Sequence, residues 1–156
     1  MALTALPSPE TPLAGRCRCG RTEIAITAAP IMTAACHCRG CQKMSASAFS
    51  LTAMVAPTAC VVTAGETVRG GAKTPQLDHR FCPECMSWMF TRIEGVDLFL
   101  NVRATMLDDP RWSTPFMETV TAEKLSWAQT PARHSYASYP PPEDFGRLLA
   151  GFAATL

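Results

Sequence analysis

The chain predicts a mainly β fold in one domain, and three observations carry that expectation. Apolar residues come in short strand-length pieces, several of them alternating with polar ones. Nine glycines and thirteen prolines punctuate the chain, while helix-favouring Glu and Lys are scarce. The length of 156 residues suits a single domain, and 47% hydrophobic residues can fill its core. Disorder needs low hydrophobicity and high net charge, and the formal charge is only +1.

The elements follow in chain order. Residues 1–13 read as a flexible tail, with Pro7, Pro9 and Pro12, and residues 14–156 as one domain. The tail carries no basic residue and no apolar core segment, so it is not a signal peptide. The expected location is the reducing cytoplasm. Arg21 to Thr27 alternates as a strand. Arg39 to Ser45 reads as a helical turn. Ser47 to Val55 and Cys60 to Thr63 are further strands with Pro57 between them, and Ala64-Gly65-Glu66-Thr67 is a turn. Ser87–Arg92 and Val96–Val102 look like a hairpin across Ile93-Glu94-Gly95. Phe116 to Val120 is a short strand. Pro142 at a first helical position, followed by Glu143 and Asp144, opens a short C-terminal helix through Leu149 or beyond.

Two partner classes drop out. The longest uncharged stretch, Met44 to Gly65, carries three serines, three threonines and Pro57, so it predicts no membrane span. No basic run is interleaved with aromatics, and the charge is near zero, so nucleic acid is not expected.

The cysteines are the main clue. Seven of eight fall in three clusters: Cys17-Arg-Cys19, Cys36-His-Cys38-Arg-Gly-Cys41 and Cys82-Pro-Glu-Cys85. Thiolates a few residues apart can grip one tetrahedral ion, so in a reducing compartment this grouping points to zinc rather than to disulfides. A redox thiol protein is the competing reading, and no βαβ pattern surrounds either CxxC to favour it. Seven ligands divide into four plus three. A four-cysteine set is closed and structural, whereas a three-cysteine set leaves a position for water or substrate. The alternative is that His37, His79 or Cys60 closes the second set.

Gly15-Arg-Cys17-Arg-Cys19-Gly20, Cys36-His-Cys38-x-x-Cys41 and Phe81-Cys82-Pro-x-Cys85-x-Ser87 resemble the glutathione-dependent formaldehyde-activating enzyme family, which includes centromere-protein-V-like proteins. Softer pieces match in order: Ser45 to Phe49, Val62 to Glu66, Met106 to Pro110, and Glu118 with Trp127. The resemblance spans roughly Ala14 to Trp127. It implies a β-tent fold, similar to the Mss4-like fold, of small antiparallel sheets pinned by zinc. It assigns Cys17, Cys19, Cys82 and Cys85 to a structural zinc, and Cys36, Cys38 and Cys41 to a catalytic zinc, two ions per chain. It implies a carbon–sulfur lyase that condenses formaldehyde with glutathione. One departure is Met86, where the family usually has Gly. A positive-φ corner there would be strained, and Met86 is expected to pack in the core.

A three-thiolate zinc carries net −1, makes hydroxide poorly and suits a fourth soft ligand such as a substrate thiol. Such a site needs nearby cations. Arg16, Arg18, Arg21, Arg39 and Lys43 surround the first two clusters, and Arg39 and Lys43 are the substrate-binding candidates. Solvated charge balance is the competing reading for each. His37, between two ligands, is expected to point away. Cys60 reads as a small buried hydrophobe, and Trp88, Trp112 and Trp127 as core or rim residues. The remaining function is either a lyase acting on glutathione adducts or another small thiol, or a zinc-stabilised protein-binding module without catalysis.

Overall fold

The strands, in chain order, are β1 (Leu13–Arg16), β2 (Glu23–Ile26), β3 (Met32–Cys36), β4 (Ser50–Val55), β5 (Cys60–Ala64), β6 (Val68–Arg69), β7 (Leu77–Phe81), β8 (Trp88–Ile93), β9 (Leu100–Arg103), β10 (Met117–Thr119) and β11 (His134–Ser135). Helix α1 (Arg39–Ser45) follows β3, and α2 (Pro142–Ala153) lies near the end of the chain. This computed structural model describes Leu3 and residues 5–156. The fold is therefore mainly β with a short C-terminal helix, as expected. No helix among the described residues is long and apolar enough to cross a membrane.

Two sheets divide the strands. The smaller runs β1-β2-β5 and is antiparallel. The larger runs β11-β10-β3-β4-β9-β8-β7-β6 and is mixed, because β10 lies parallel to both β3 and β11. Its two faces do different work. Ala53 and Val55 of β4 and Leu100 and Val102 of β9 face the small sheet, where they pack with Ile24 and Ile26 of β2 and with Trp112. Each fully buried Ile, Leu or Val there contributes about 1.5–3 kcal/mol. The opposite face is half covered: Met32 and Ala34 of β3 and Met117 of β10 lie under Leu148 and Phe152 of α2. The uncovered remainder is a cavity.

A bulge sets which side chains reach that cavity. Arg80 pairs with Phe90 but Phe81 pairs with Trp88, so Met89 is an extra residue in β8. The bulge turns Trp88 onto the same face as Thr91, and the Trp88 indole N–H donates to Thr91 Oγ1 at 2.9 Å.

Several elements differ from expectation. Strand β3 (Met32–Cys36) was not foreseen, because a strand covered on both faces shows no alternation. Strands β1, β6, β7 and β11 were also missed, the last three being polar or only two residues long. The strand expected from Ser47 starts at Ser50, since α1 ends on Ala46 with φ 49° and the chain must turn. The hairpin is looser than expected. Strand β8 spends its end on β7 (Leu77 opposite Ile93), so β9 begins only at Leu100. The tail expected over residues 1–13 includes Met1, Ala2 and Thr4, which lie outside the described residues. Leu3 packs against the first core cluster, Pro7 is buried, and β1 starts at Leu13.

Candidate metal centres and the adjoining cavity

The first cysteine set joins the two sheets. Cys17 and Cys19 sit in the turn between β1 and β2, and Cys82 and Cys85 in the turn between β7 and β8. Their four sulfurs lie within 4.8 Å of one another. Each turn is a tight backbone knuckle: Gly20 N–H donates to Cys17 O at 3.0 Å, and Met86 N–H to Cys82 O at 3.1 Å. The two knuckles also bond to each other, through Arg18 N–H to Ser87 Oγ at 3.1 Å. Met86 holds the positive-φ corner at φ 55°, so the knuckle keeps the left-handed bend in spite of a side chain there. Its side chain is 60% exposed, which corrects the expectation of a core Met. A left-handed corner points its side chain away from the turn, and no apolar wall meets it.

The second set is local. Cys36 ends β3, Cys38 caps α1 by accepting the Cys41 N–H at 3.3 Å, and Cys41 lies in the first turn of α1. These three sulfurs also lie within 4.8 Å of one another. None of His37, His79 or Cys60 joins them. The Cys41 thiol hydrogen-bonds Cys36 and holds its pKa well below the ordinary thiol range, and the same bond pushes Cys41 far up. Three sulfurs packed this closely cannot all ionise alone. A divalent soft cation among them satisfies all three, so the donor set fits a metal ion, as does the four-cysteine set.

A buried polar network fixes this corner from behind. His37 is fully buried and points away from the sulfurs, with Nε2 3.0 Å from Glu118 Oε2. Glu118 also accepts hydrogen bonds from Lys124 Nζ at 2.8 Å, Thr130 Oγ1 at 2.7 Å and Ser135 Oγ at 3.0 Å. Burial alone would raise the carboxyl pKa, but these donors outweigh it and bring it to about 2. The Gln42 amide ties α1 down by donating to the carbonyls of His37 and Glu123.

The cavity next to Cys36, Cys38 and Cys41 has a volume of about 330 Å³. Its floor is the uncovered sheet face: Ser50, Thr52 and Met54 of β4, Asn101 and Arg103 of β9, and Thr91 of β8. Arg103 is 6% exposed, and its guanidinium lies 4.1 Å from the centre of the Trp88 ring. Burial lowers its pKa to about 10, which leaves it charged at neutral pH. His79 also lines the cavity, with Nδ1 2.8 Å from Thr91 Oγ1. Burial, and then the nearby Arg103 charge, hold the His79 pKa below its ordinary value.

The expected cations lie elsewhere. Arg16 pairs with Asp108 at 2.9 Å and Arg21 with Glu84 at 3.4 Å, both on the surface. Arg39 and Lys43 are exposed on α1, where Arg39 donates to Gln42 Oε1 at 2.9 Å, and neither lines the cavity. Trp88 and Trp112 are buried, whereas Trp127 is 72% exposed and so is no core residue. Sequence reasoning missed Ser50, Asn101 and Arg103. The signal was present: in Leu100-Asn-Val-Arg103, polar residues two apart share one face of a strand whose other positions are apolar.

Comparison with known proteins agrees with the cysteine pattern. The family model for glutathione-dependent formaldehyde-activating enzyme matches residues 12–123, a stretch that contains all seven clustered cysteines. Among solved structures, a crystal structure of a Rhodobacter sphaeroides protein is 19% identical, with a TM-score of 0.49, covering 63% of this chain and 92% of that one. No curated protein matches. With most of its length under one family model, the chain belongs to the glutathione-dependent formaldehyde-activating enzyme family.

Proposed function

We propose that this protein is a zinc-dependent carbon–sulfur lyase acting on the adduct of a small thiol with formaldehyde, glutathione being the thiol in the family's name. One observation carries the reading: the three-cysteine set opens onto a cavity, whereas the four-cysteine set sits in two turns that join the sheets and lines no part of that cavity. Cys36, Cys38 and Cys41 would hold the catalytic zinc, and Cys17, Cys19, Cys82 and Cys85 the structural one. Bound there, zinc supplies a soft Lewis-acid position suited to sulfur.

The chain's own residues do the rest. Strand β3 and helix α1 fix the three sulfurs on rigid elements. Arg103 offsets the negative charge of the thiolates, with Arg39 and Lys43 as outer cations on α1. In the forward direction the thiol S–H bond breaks, a carbon–sulfur bond forms, and the carbonyl oxygen ends as a hydroxyl. Cleavage reverses each change. A proton must therefore travel between sulfur and oxygen, and we assign its transfer to His79, which lines the cavity and is anchored through Nδ1 to Thr91. A reducing compartment such as the cytoplasm suits this chemistry, because all eight cysteines are free.

Cobalt in place of zinc tests the reading, since thiolate binding alters its absorption spectrum. Glutathione and 2-mercaptoethanol are titrated beside their S-methyl counterparts, and formation of the formaldehyde adduct is followed by NMR. A spectral change with a free thiol alone, with adduct formation above the uncatalysed rate, supports the lyase. No change with any thiol and no turnover would leave a zinc-stabilised binding module.

A further inference from the structure

The cavity next to the three cysteines has an unusual chemical balance. Its walls are mostly apolar, with Met44, Leu77, Ile93, Phe99 and Phe145. Set into its floor are three buried polar atoms with no hydrogen-bond partner: Ser50 Oγ, Asn101 Oδ1 and Arg103 Nε. Buried polar groups are nearly always satisfied, so three orphans on one cavity floor mark the place of a ligand's polar atoms. Register explains their grouping. Asn101 and Arg103 stand two apart on β9, opposite Met54 and Thr52 of β4, while Ser50 stands opposite Cys36. Ser50 therefore belongs to the sulfur end, and Asn101 with Arg103 lies further along the floor.

Arg103 itself lacks a counterpart. No carboxylate among the described residues pairs with it, and its only direct bond is from Nη2 to Asn101 O at 3.2 Å. Stacking on Trp88 holds the guanidinium in place without using its in-plane N–H donors. The Asn101 carboxamide offers either an oxygen or an NH₂ to the same spot, because its two ends are interchangeable by rotation.

We propose that Arg103 and Asn101 bind a single carboxylate on an otherwise apolar substrate, so that this cavity selects a monocarboxylate thiol, or its aldehyde adduct, over glutathione. The inference rests on the reading of Cys36, Cys38 and Cys41 as the reactive end of the site. Glutathione brings two carboxylates, an ammonium and two peptide groups. Against these the lining offers one charged cation, a few neutral polar side chains and mostly apolar surface, so the second carboxylate of glutathione would be buried without a cation to pair with. An arylalkyl chain with one carboxylate matches the lining instead. The rival to the proposal is that Arg103 serves only as counterion to the Cys36 and Cys41 thiolates, with no second role toward a ligand. A pure counterion leaves the carboxylate of a ligand without effect.

Calorimetry on the zinc-loaded protein separates these roles with probes that contain no sulfur. 3-Phenylpropanoate should bind at least about tenfold more tightly than 3-phenylpropan-1-ol, and Arg103→Met should remove that preference while leaving alcohol binding in place. Asn101→Ala, which leaves Arg103 on Trp88, should weaken the acid about threefold and the alcohol not at all. Among thiols, 2-mercapto-3-phenylpropanoate should bind at least about tenfold more tightly than glutathione. Equal binding of acid and alcohol to the unaltered protein, or a preference for glutathione, would overturn the proposal. The two readings fail separately. Thiols that perturb cobalt without any acid preference sink the carboxylate site alone. An acid preference with no thiol effect on cobalt sinks the lyase alone.

Discussion

Cys17, Cys19, Cys82 and Cys85 come from two sheets, whereas Cys36, Cys38 and Cys41 come from one strand–helix corner six residues long. Cys19 and Cys82 are 63 residues apart in sequence, yet their sulfurs are 3.8 Å apart. Gathering such a set closes a long loop, so an ion there is bound only by the folded chain and its binding energy is coupled to folding. The second set is arranged by local backbone and by the hydrogen bonds of Glu118 and Gln42, and it needs no distant segment for its ligands. With a metal bound, the same ligand atom would serve as a staple where the spacing is long. Where the spacing is short and a cavity adjoins it, the proposed role is exchange of a ligand rather than a staple.

Breaking one ligand in each set gives the largest contrast. Cys82→Ala should cost on the order of 5 kcal/mol or more, comparable with the whole stability of a domain, and should yield unfolded or aggregated protein. Cys38→Ala should remain folded, losing the second zinc and about 1 kcal/mol of helix capping. Thermal melts with metal counting check both, and the reverse pattern would exchange the two roles.

The support behind the second set comes next in size. With its folded pKa at about 2 and an ordinary value of 4.5, Glu118 stabilises the fold by about 3 kcal/mol above pH 4.5. A depressed pKa means this contribution fades as pH falls from about 4.5 towards 2. The stability gap between wild type and Glu118→Gln, measured in urea across that window, should therefore shrink with acid. A gap independent of pH would show that the carboxylate charge is not what matters.

Smaller effects sharpen the comparison. Met86→Gly relieves a left-handed corner and removes only an exposed side chain, so it should stabilise the protein by roughly 0.5–1 kcal/mol. A loss of stability would mean that the Met86 side chain makes a contact worth more than the strain. Lys43→Met should change thiol affinity by less than about twofold, since an exposed lysine outside the cavity is screened by solvent. An effect as large as that of Arg103→Met would return substrate binding to the outer face of α1.

Legibility followed chemistry more closely than backbone. The seven clustered cysteines could be read from spacing and their four-plus-three split from their number, while which cysteines make each set came from the family resemblance and matches the two groups of close sulfurs. The C-terminal helix could be read from Pro142 and its acidic first turn. Strand β3 could not, since Met32-Thr-Ala-Ala-Cys36 is buried on both faces and shows no period. Arg103 was passed over because sequence nearness drew attention to cations beside the cysteines, whereas the cation in the cavity comes from β9, two strands across the sheet. The cavity itself depends on an uncovered sheet face and on the Met89 bulge, and neither has a local signal.

Stepwise removal of metal tests the division of labour most directly. A chelator is added in increments to the fully loaded protein, while native mass spectrometry counts zinc and circular dichroism follows the fold. The first ion should leave with the fold intact, and Cys36, Cys38 and Cys41 should then become open to alkylation. The second should leave only as the protein unfolds. Unfolding that accompanies the first ion, or first alkylation at Cys17, Cys19, Cys82 and Cys85, would contradict it.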